Sequence, residues 1–450
     1  MLNYIWLALV LLAVAIGGWN NRLSDVTAGA FDGAKTAVTI ALGLIGIMAL
    51  WLGVMRLAER AGLIQSIARG LRPVMRRLFP DVPPEHPAMG SMLMNMAANM
   101  LGLGNAATPL GLRAMRDLEG LNPRPGVASN AMCTFLAINT ASVQLIPATA
   151  IALLASAGST HPTAIVGTAL LATLCAATVA ITAAKILEKL PFFRLREAIP
   201  VAGNVDPARD AAPPTSAGTT DPGYSTSEEP RPVGWWTTPV LLALGLFFAA
   251  LFVRMVFPNI FNLPADPNSA TQSGFVRSVN ALSILAIPFL LSFFPVYAAT
   301  RGIKVYEEFV EGAKEGFGVI LKIIPFLVTM LVAISMFKGA GGIKLLTDLL
   351  TPVLTPLQFP PDLLPLALMR PLSGSASLAI LTDIIHRLGP DNIVSLMAAT
   401  IYGSTETTFY VAAVYFGAVG VKQTRHAIPA GLLGDLAGVI ASVIICRAVL

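Results

Sequence analysis

The sequence predicts an all-α membrane protein with about nine transmembrane helices and two re-entrant hairpins, arranged as two inverted repeats. Three observations predict it: an apolar composition, two apolar segments interrupted by polar residues, and an internal repeat. The 450-residue chain is 55% hydrophobic and only 12% charged, and its mean hydropathy is +0.71, as in polytopic membrane proteins. The net charge of +5 comes from basic residues beside apolar spans, which indicates the positive-inside rule rather than binding of nucleic acid.

The first half contains three simple spans, an arginine-rich amphipathic segment and a long uncharged stretch. The predicted spans are 2–18, 36–55 and 163–186, the amphipathic segment is 56–87, and the uncharged stretch is 127–157. The arginine-rich segment is typical of a helix that lies at the membrane surface. Polar residues in the uncharged stretch predict a broken helix, because lipid cannot satisfy exposed amide groups.

A linker separates this half from the second one. Residues 197–234 are rich in proline, alanine, serine, threonine and glycine, without apolar periodicity. Such a composition cannot bury enough apolar area to offset the entropy of ordering, which predicts a disordered linker between a domain at 1–196 and a domain at 235–450. The second half contains predicted spans at 235–257, 279–298, 317–337 and 428–449, and a broken stretch at 393–416.

Each half also contains one interrupted apolar segment, at 88–111 in the first half and 363–381 in the second. Amides, hydroxyls, glycines and prolines are too frequent there for a simple membrane helix. Paired segments of this kind in two halves indicate a transporter binding site. The polar candidates in them are Asn95, Asn99, Asn105, Thr108, Arg370, Ser373 and Ser375.

The two halves share three short motifs in the same order. Residues 31–35, FDGAK, match residues 310–314, VEGAK, each at the beginning of a span. The interrupted segments follow, and NTAS at 139–142 then matches STET at 404–407. Self-similarity in a fixed order is typical of an internal repeat.

Positive charge predicts that the repeats are inverted. Six arginines lie between residues 56 and 77, after the first-half span, whereas only Lys338 and Lys344 lie between the corresponding second-half span and residue 361. By the charge bias of cytoplasmic loops, the first of these loops is inside and the second outside. The linker is then cytoplasmic, and the two hairpins enter the membrane from opposite sides.

Two groups of sequence stretches resemble a known family. In the first half they are FDGAKTAVTIALGLIGIMALWLG (31–53), AANMLGLGNAATPLGL (97–112) and NAMCTFLAINTASVQLIPAT (130–149); in the second they are LPLALMRPLSGSASLAILTDI (364–384) and GSTETTFYVAAVYFGAVG (403–420). The first half resembles the spore maturation A family and the second the spore maturation B family. Both have the nucleoside-recognition, or gate, domain, which is shared with nucleoside transporters and ferrous-iron transporters. The resemblance implies a membrane protein with two gate domains, and it names no substrate.

Iron is disfavoured as the substrate. The run from Gly102 to Pro109 resembles the gate motif of ferrous-iron transporters, but no cysteine stands beside Asn105, so the soft ligand for a transition metal is missing. The three cysteines of the chain are widely separated. The sequence therefore predicts no metal site and no cofactor.

Four stretches could form a site near the middle of the membrane: the two interrupted segments and the two broken helices after them. Neutral amides and hydroxyls in the broken helices suit a polar, uncharged solute, and unwound carbonyls suit an alkali cation. For the amides the alternative is hydrogen bonding that holds packed helices together. The candidates in the broken helices are Asn139, Thr140, Ser142, Gln144, Ser404, Thr405, Glu406 and Thr407.

Arg370 and Glu406 are the ionisable candidates in the second-half core. Charges inside a membrane are costly and usually functional. Arg370 could hold an anionic group and Glu406 could couple to a proton or cation; alternatively the two residues form a structural ion pair. Asp435, in the last span, is a weaker candidate.

The residues together predict a multi-pass protein of the cell inner membrane that moves a small polar solute, perhaps nucleoside-like, by alternating access. The alternatives are a non-transporting scaffold that supports envelope or spore maturation and an ion transporter related to the ferrous-iron gate domain. Motifs typical of hydrolases or nucleotide-binding enzymes do not occur in the sequence, so no enzymatic activity is expected. The expected partners are the lipid bilayer, the solute and a coupling cation; assembly into a homo-oligomer stays open.

Overall fold

The computed structural model describes residues 2–102, 104–193, 236–257, 273–342, 345, 348 and 358–450. Helices form most of this part of the chain, and the protein is an all-α membrane protein. The first-half helices are α1 (Leu2–Trp19), α2 (Leu23–Arg60), α3 (Leu63–Leu78), α4 (Pro87–Met100), α5 (Gly104–Glu119), α6 (Asn130–Ala141), α7 (Ala148–Ser156) and α8 (Ile165–Leu187). The second-half helices are α9 (Thr237–Val256), α10 (Gly274–Thr300), α11 (Val305–Gly339), α12 (Leu364–Met369), α13 (Gly374–Leu388), α14 (Ile393–Ser404), α15 (Thr408–Ala418) and α16 (Ala427–Val449).

Five described helices are long and apolar enough to cross a membrane: α2, α8, α9, α10 and α16. Of the other four predicted spans, 127–157 and 393–416 are each divided into two shorter helices, and α1 and α11 contain the shorter apolar stretches Trp6–Trp19 and Leu327–Gly339. The full count therefore stays a prediction. The predicted linker, 197–234, lies outside the described residues, as does the side chain of Asn105.

The centre of the protein is an antiparallel pair of long helices, α2 and α11. They have 38 and 35 residues, which corresponds to lengths of about 57 and 52 Å. The glycines of the repeated GAK motif make the contact in both halves. A Cβ atom on Gly33 would lie 2.6 Å from the carbonyl oxygen of Leu331, and one on Gly312 would lie 2.7 Å from that of Leu52. Glycine lets the two backbones approach closely, as small residues do between membrane helices.

Each interrupted segment folds into a helical hairpin. The first hairpin consists of α4 and α5, and the chain reverses at Gly102, which has a positive φ of 74°. This left-handed conformation favours glycine because glycine has no Cβ. The second hairpin consists of α12 and α13, and an ion pair of 2.6 Å between Arg387 and Asp362 joins its two ends.

The bases of the two hairpins lie at opposite ends of the central helix pair. Glu85, just before the first hairpin, pairs with Arg72 of α3 at 3.1 Å, and α3 follows the carboxyl end of α2. Asp383 of the second hairpin pairs with Lys338 at the carboxyl end of α11, at 3.8 Å. Because α2 and α11 are antiparallel, these carboxyl ends point in opposite directions.

Two further breaks divide the helices that follow the hairpins. The first break, residues 142–147, separates α6 from α7, and the second break, residues 405–407, separates α14 from α15. Ser142, at the start of the first break, has a left-handed φ of 35°, which is unusual for a residue with a side chain. The first repeated tetrapeptide, 139–142, ends where the first break begins, and the second, 404–407, contains the second break.

Candidate functional site

The two breaks and the two hairpin tips meet in one region of the bundle. Backbone groups that the breaks release from helical hydrogen bonding find partners in this region, as buried amides require. The first break is joined to the tip of the first hairpin, and the start of α15, just after the second break, is joined to the tip of the second hairpin. The second break is also joined to the end of α6, just before the first break. The hydrogen bonds are Leu145 N to Met100 O (3.0 Å), Phe409 N to Pro371 O (3.0 Å) and Glu406 N to Thr140 O (2.9 Å).

A cluster of amides forms the first-half side of the site. Asn99 donates from Nδ2 to Asn139 Oδ1 at 2.8 Å, and Asn95, on the next turn of α4, donates to the carbonyl oxygen of Ala107 across the hairpin at 2.7 Å. Asn139 donates in turn to the carbonyl oxygen of Phe135 at 2.9 Å. The structure thus brings together three of the predicted amides, and these amides hold one another as well as the hairpin.

Tyr415 of α15 completes this cluster from the second half. Its hydroxyl donates to Asn139 Oδ1 at 3.4 Å and accepts from Asn95 Nδ2 at 3.3 Å. A Cβ on Gly111 would lie 2.1 Å from the Tyr415 hydroxyl oxygen, so the glycine of α5 provides the space for the ring. The sequence reasoning missed Tyr415. A tyrosine in an otherwise apolar helix is the signal that could have identified it, because its buried hydroxyl needs a partner.

Arg370 lies at the end of α12 and is almost completely buried, with 2% exposure. Its Nη2 donates to the carbonyl oxygens of Tyr402, at 2.9 Å, and of Thr405, and its Nε donates to the Thr405 hydroxyl at 3.2 Å. The guanidinium also stacks over the Tyr402 ring, 4.5 Å from its centroid. Arg370 therefore caps the carboxyl end of α14, where free carbonyls and the helix dipole favour a cation.

Glu406, in the middle of the second break, lies beside Arg370 but is not hydrogen-bonded to it. The nearest atoms, Arg370 Nη2 and Glu406 Oε2, are 3.7 Å apart, and both hydrogens of that nitrogen already point to backbone carbonyls. Gln144 of the first break donates to Glu406 Oε1 at 3.3 Å. The Glu406 side chain is 33% exposed, so the surrounding protein leaves part of this carboxylate accessible.

The remaining first-half candidates support the breaks. The Thr140 hydroxyl donates to the carbonyl oxygen of Ala137 at 2.9 Å. Ser142 is buried, and its carbonyl oxygen accepts from the Thr173 hydroxyl of α8 at 2.9 Å. Thr108 is half-buried on α5.

The second-half hydroxyls play similar parts. Ser373 caps α13 by accepting from the amide of Ala376 at 3.2 Å, and the hydroxyls of Ser373 and Ser375 are 3.3 Å apart. Ser404 shares a hydrogen bond of 3.1 Å with Ser442 of α16. Thr405 donates to the carbonyl oxygen of Ile401 at 2.8 Å, and Thr407 is buried at the start of α15.

The chemistry of the site is therefore that of amides, hydroxyls and one accessible carboxylate. Among the described residues, no group of three or more His, Cys, Asp or Glu side chains is placed to hold a metal ion. The donor set suits hydrogen bonding to a neutral polar solute, and its carboxylate favours a solute or ion with positive character.

Comparison with known proteins identifies the family. The Gate family, described as nucleoside recognition, matches residues 41–157 and 320–422, so each match contains one hairpin and the break after it. Spore maturation protein A of Bacillus subtilis (strain 168) is 48% identical over 174 residues, which are 39% of this chain and 89% of that protein. Spore maturation protein B of the same organism is 46% identical over 167 residues, which are 37% of this chain and 94% of that protein. The resemblance inferred from the motifs is confirmed: the chain belongs to the family of spore maturation proteins A and B, in a form consistent with a fusion of the two, and carries their gate domain in two segments.

Proposed function

We propose that this protein is a secondary-transporter-like protein of the cell inner membrane that moves a small polar solute by alternating access. The observation that carries the proposal is the meeting of four interrupted segments around the accessible carboxylate of Glu406. Breaks in membrane helices leave backbone groups without partners, and they are tolerated where they line a site or are buried in protein. The gate domain, described as nucleoside recognition, makes a nucleoside-like solute the first candidate.

Glu406 is the residue we propose to contact the solute. Gln144 holds one of its oxygens, and a third of the side chain is open. Arg370 is less suited to contact an anionic group, because three of its hydrogen bonds go to the second break and to α14. We propose that Arg370 instead positions the second break, and therefore Glu406.

Inverted repeats would supply the two alternating states. The antiparallel α2 and α11 carry the same glycine motif, and the two hairpins begin at opposite ends of this pair. These features support an arrangement in which each hairpin is re-entrant from its own side of the membrane. By the positive-inside rule, the arginines of α3 favour a cytoplasmic position for the base of the first hairpin.

A specific observation also favours the non-transporting scaffold. Most of the candidate side chains are buried, and their hydrogen bonds go to one another or to nearby backbone; Asn95 and Thr140, for example, have 0% exposure. A dry network of this kind stabilises packed membrane helices without any solute. The two functions predict opposite results when solutes are tested.

Binding of a solute panel to the purified protein tests the proposal. The panel contains nucleosides, organic anions and organic cations, and the variants are Glu406→Gln and, as a matched control, Glu311→Gln. Glu311 is an exposed carboxylate that pairs with Lys314 at 2.8 Å, outside the site. We expect at least one panel member to bind the natural protein and the control, and to lose affinity for Glu406→Gln. Absence of binding by every panel member, or equal binding to Glu406→Gln, would favour the scaffold.

Labelling of single cysteines tests the topology. We expect Glu85→Cys and Pro361→Cys, made in a variant without the exposed Cys175, to react with an impermeant reagent from opposite sides of the membrane. Labelling of both positions from the same side would contradict the inverted arrangement.

A further inference from the structure

A buried carboxylate lies beside the second break, at Asp435, which the sequence marks only as a weaker candidate and which is not part of the proposed solute site. Asp435 of α16 is 3% exposed and lies eight residues after the first residue of a 23-residue span, about 12 Å along the helix. Thr408, the first residue of α15, donates from its hydroxyl to Asp435 Oδ2 at 2.6 Å. The other oxygen, Oδ1, is buried and has no hydrogen-bond partner in the part of the chain that the structure describes.

An unpartnered carboxylate oxygen at this depth requires an explanation. Burial of an ionised carboxylate without a partner costs several kcal/mol or more, so such groups acquire a counter-charge or a proton. The charged residues that act on Asp435 are Arg370 and Glu406, and they act in opposite directions. Neither residue donates a hydrogen bond to Oδ1.

Two threonine hydroxyls lie near Asp435, and each already uses its hydrogen in a bond within the protein. The Thr408 hydroxyl uses its hydrogen on Asp435 Oδ2, and the Thr140 hydroxyl uses its hydrogen on the carbonyl oxygen of Ala137. Both oxygens therefore present lone pairs. They lie 3.2 and 3.0 Å from the point that a Cβ of Gly431 would occupy, one helical turn before Asp435. The Thr408 methyl carbon lies 2.9 Å from the same point, so the absence of a Cβ on Gly431 lets both threonines approach this turn of α16 closely.

We propose that the carboxylate of Asp435 and the hydroxyl oxygens of Thr408 and Thr140 form a binding site for a small monovalent cation. Carboxylate and hydroxyl oxygens are hard ligands, which suit alkali cations rather than soft transition metals. A single carboxylate balances a single positive charge, whereas a divalent ion would leave an uncompensated charge in the apolar core.

The position of the site would couple the cation to the second break. Thr408 follows directly after the break. The carbonyl oxygen of Thr140 accepts a hydrogen bond of 2.9 Å from the backbone amide of Glu406. A cation held by both threonines would join α6, α15 and α16 around Glu406. Such a coupling deepens the proposed transport function, but binding of the cation does not depend on transport.

Equilibrium binding of radioactive sodium and potassium to the purified protein tests the proposal, with choline chloride used to hold the ionic strength constant. We expect one of the two ions to bind the natural protein saturably. Asp435→Asn and Thr408→Val should each weaken this binding at least about tenfold, the lower end of the loss caused when the surroundings of a metal ligand are changed. Thr408→Ser keeps the hydroxyl and should bind like the natural protein.

Two controls keep the test independent of folding and of the proposed function. Thr382→Val removes a buried hydroxyl that bonds only within α13 in the described structure, so it should bind the cation normally. Glu406→Gln should also retain the cation, even if it loses a solute. Absence of sodium and potassium binding, or full binding by well-folded Asp435→Asn, would overturn the proposal and leave a protonated carboxyl at this position. Loss of binding in Glu406→Gln but not in Asp435→Asn would also overturn it.

Discussion

Substitution of Arg370 and of Glu406 should have unequal effects on stability. Arg370→Met would remove the donors to two buried carbonyl oxygens, those of Tyr402 and Thr405, and the contact with the Tyr402 ring. Each buried acceptor left without a partner costs about 1–3 kcal/mol. For the two acceptors together we expect a loss of about 2–6 kcal/mol.

Glu406→Gln should cost much less. At 3.7 Å, the gross Coulomb attraction between the two charges is about 4.5 kcal/mol at an effective dielectric constant of about 20. Water screens this attraction because a third of the Glu406 side chain is exposed, and the pair lacks a hydrogen bond. We therefore expect a net loss of about 1 kcal/mol or less, as for partly exposed ion pairs.

A double-mutant cycle measures this difference. Unfolding of the two single variants and of the double variant is followed in detergent micelles, and the coupling energy between the two sites is calculated from the three changes. We expect a coupling of about 1 kcal/mol or less and no recovery of stability when Arg370→Met is added to Glu406→Gln. A loss of more than about 3 kcal/mol in Glu406→Gln, recovered in the double variant, would refute the reasoning and indicate a structural ion pair.

Three further predictions follow from close contacts and from burial. Gly33→Ala should destabilise the protein, because its Cβ would lie 2.6 Å from a carbonyl oxygen of α11, whereas Gly46→Ala, which meets nothing within 4 Å, should not; equal unfolding temperatures would contradict this. Gly111→Ala should lower the unfolding temperature, and Tyr415→Ala should partly restore it by removing the hydroxyl oxygen that would lie 2.1 Å from the new methyl group; no restoration would be the contrary result. Burial lowers the pKa of His426 to about 4, below its ordinary value of 6.5, so its contribution to stability is complete above pH 6.5 and is lost as the pH falls towards 4. His426→Phe should therefore lose less stability than the natural protein between pH 7 and pH 5, as measured by thermal unfolding. If the unfolding temperatures of the two proteins fall in parallel with pH, His426 is not the source of the pH dependence.

The positions of the breaks could be predicted from the sequence because they follow from solvation. A segment such as 88–111 is apolar enough for lipid yet contains amides and glycines, and the only consistent position for it is inside the protein. The repeated glycine motif and the uneven arginine distribution likewise predicted a related pair of helices with opposite directions. Each of these signals can be recognised in one sequence, without knowledge of which residues are in contact.

The partners of the polar groups could not be predicted in the same way. The sequence placed Arg370 and Glu406 in one core, but it could not show that the donors of Arg370 point to backbone carbonyls, because every residue has such a carbonyl. It also could not show that Asp435 meets Thr408, since the pair is 27 residues apart and depends on how α16 packs over the second break. Contacts of this kind are decided by tertiary packing.

The two halves have the same order of hairpin and broken helix but different polar residues, and each half completes the polar cluster of the other. The first-half cluster is neutral, and Tyr415 of the second half closes it by contacting Asn95 and Asn139. The second-half cluster contains the charges, and Gln144 of the first half holds its accessible carboxylate. Neither half alone can satisfy these buried groups, and an unsatisfied amide in a membrane is costly. The site therefore exists only where both halves are present, and a single chain keeps the two halves at a high effective concentration.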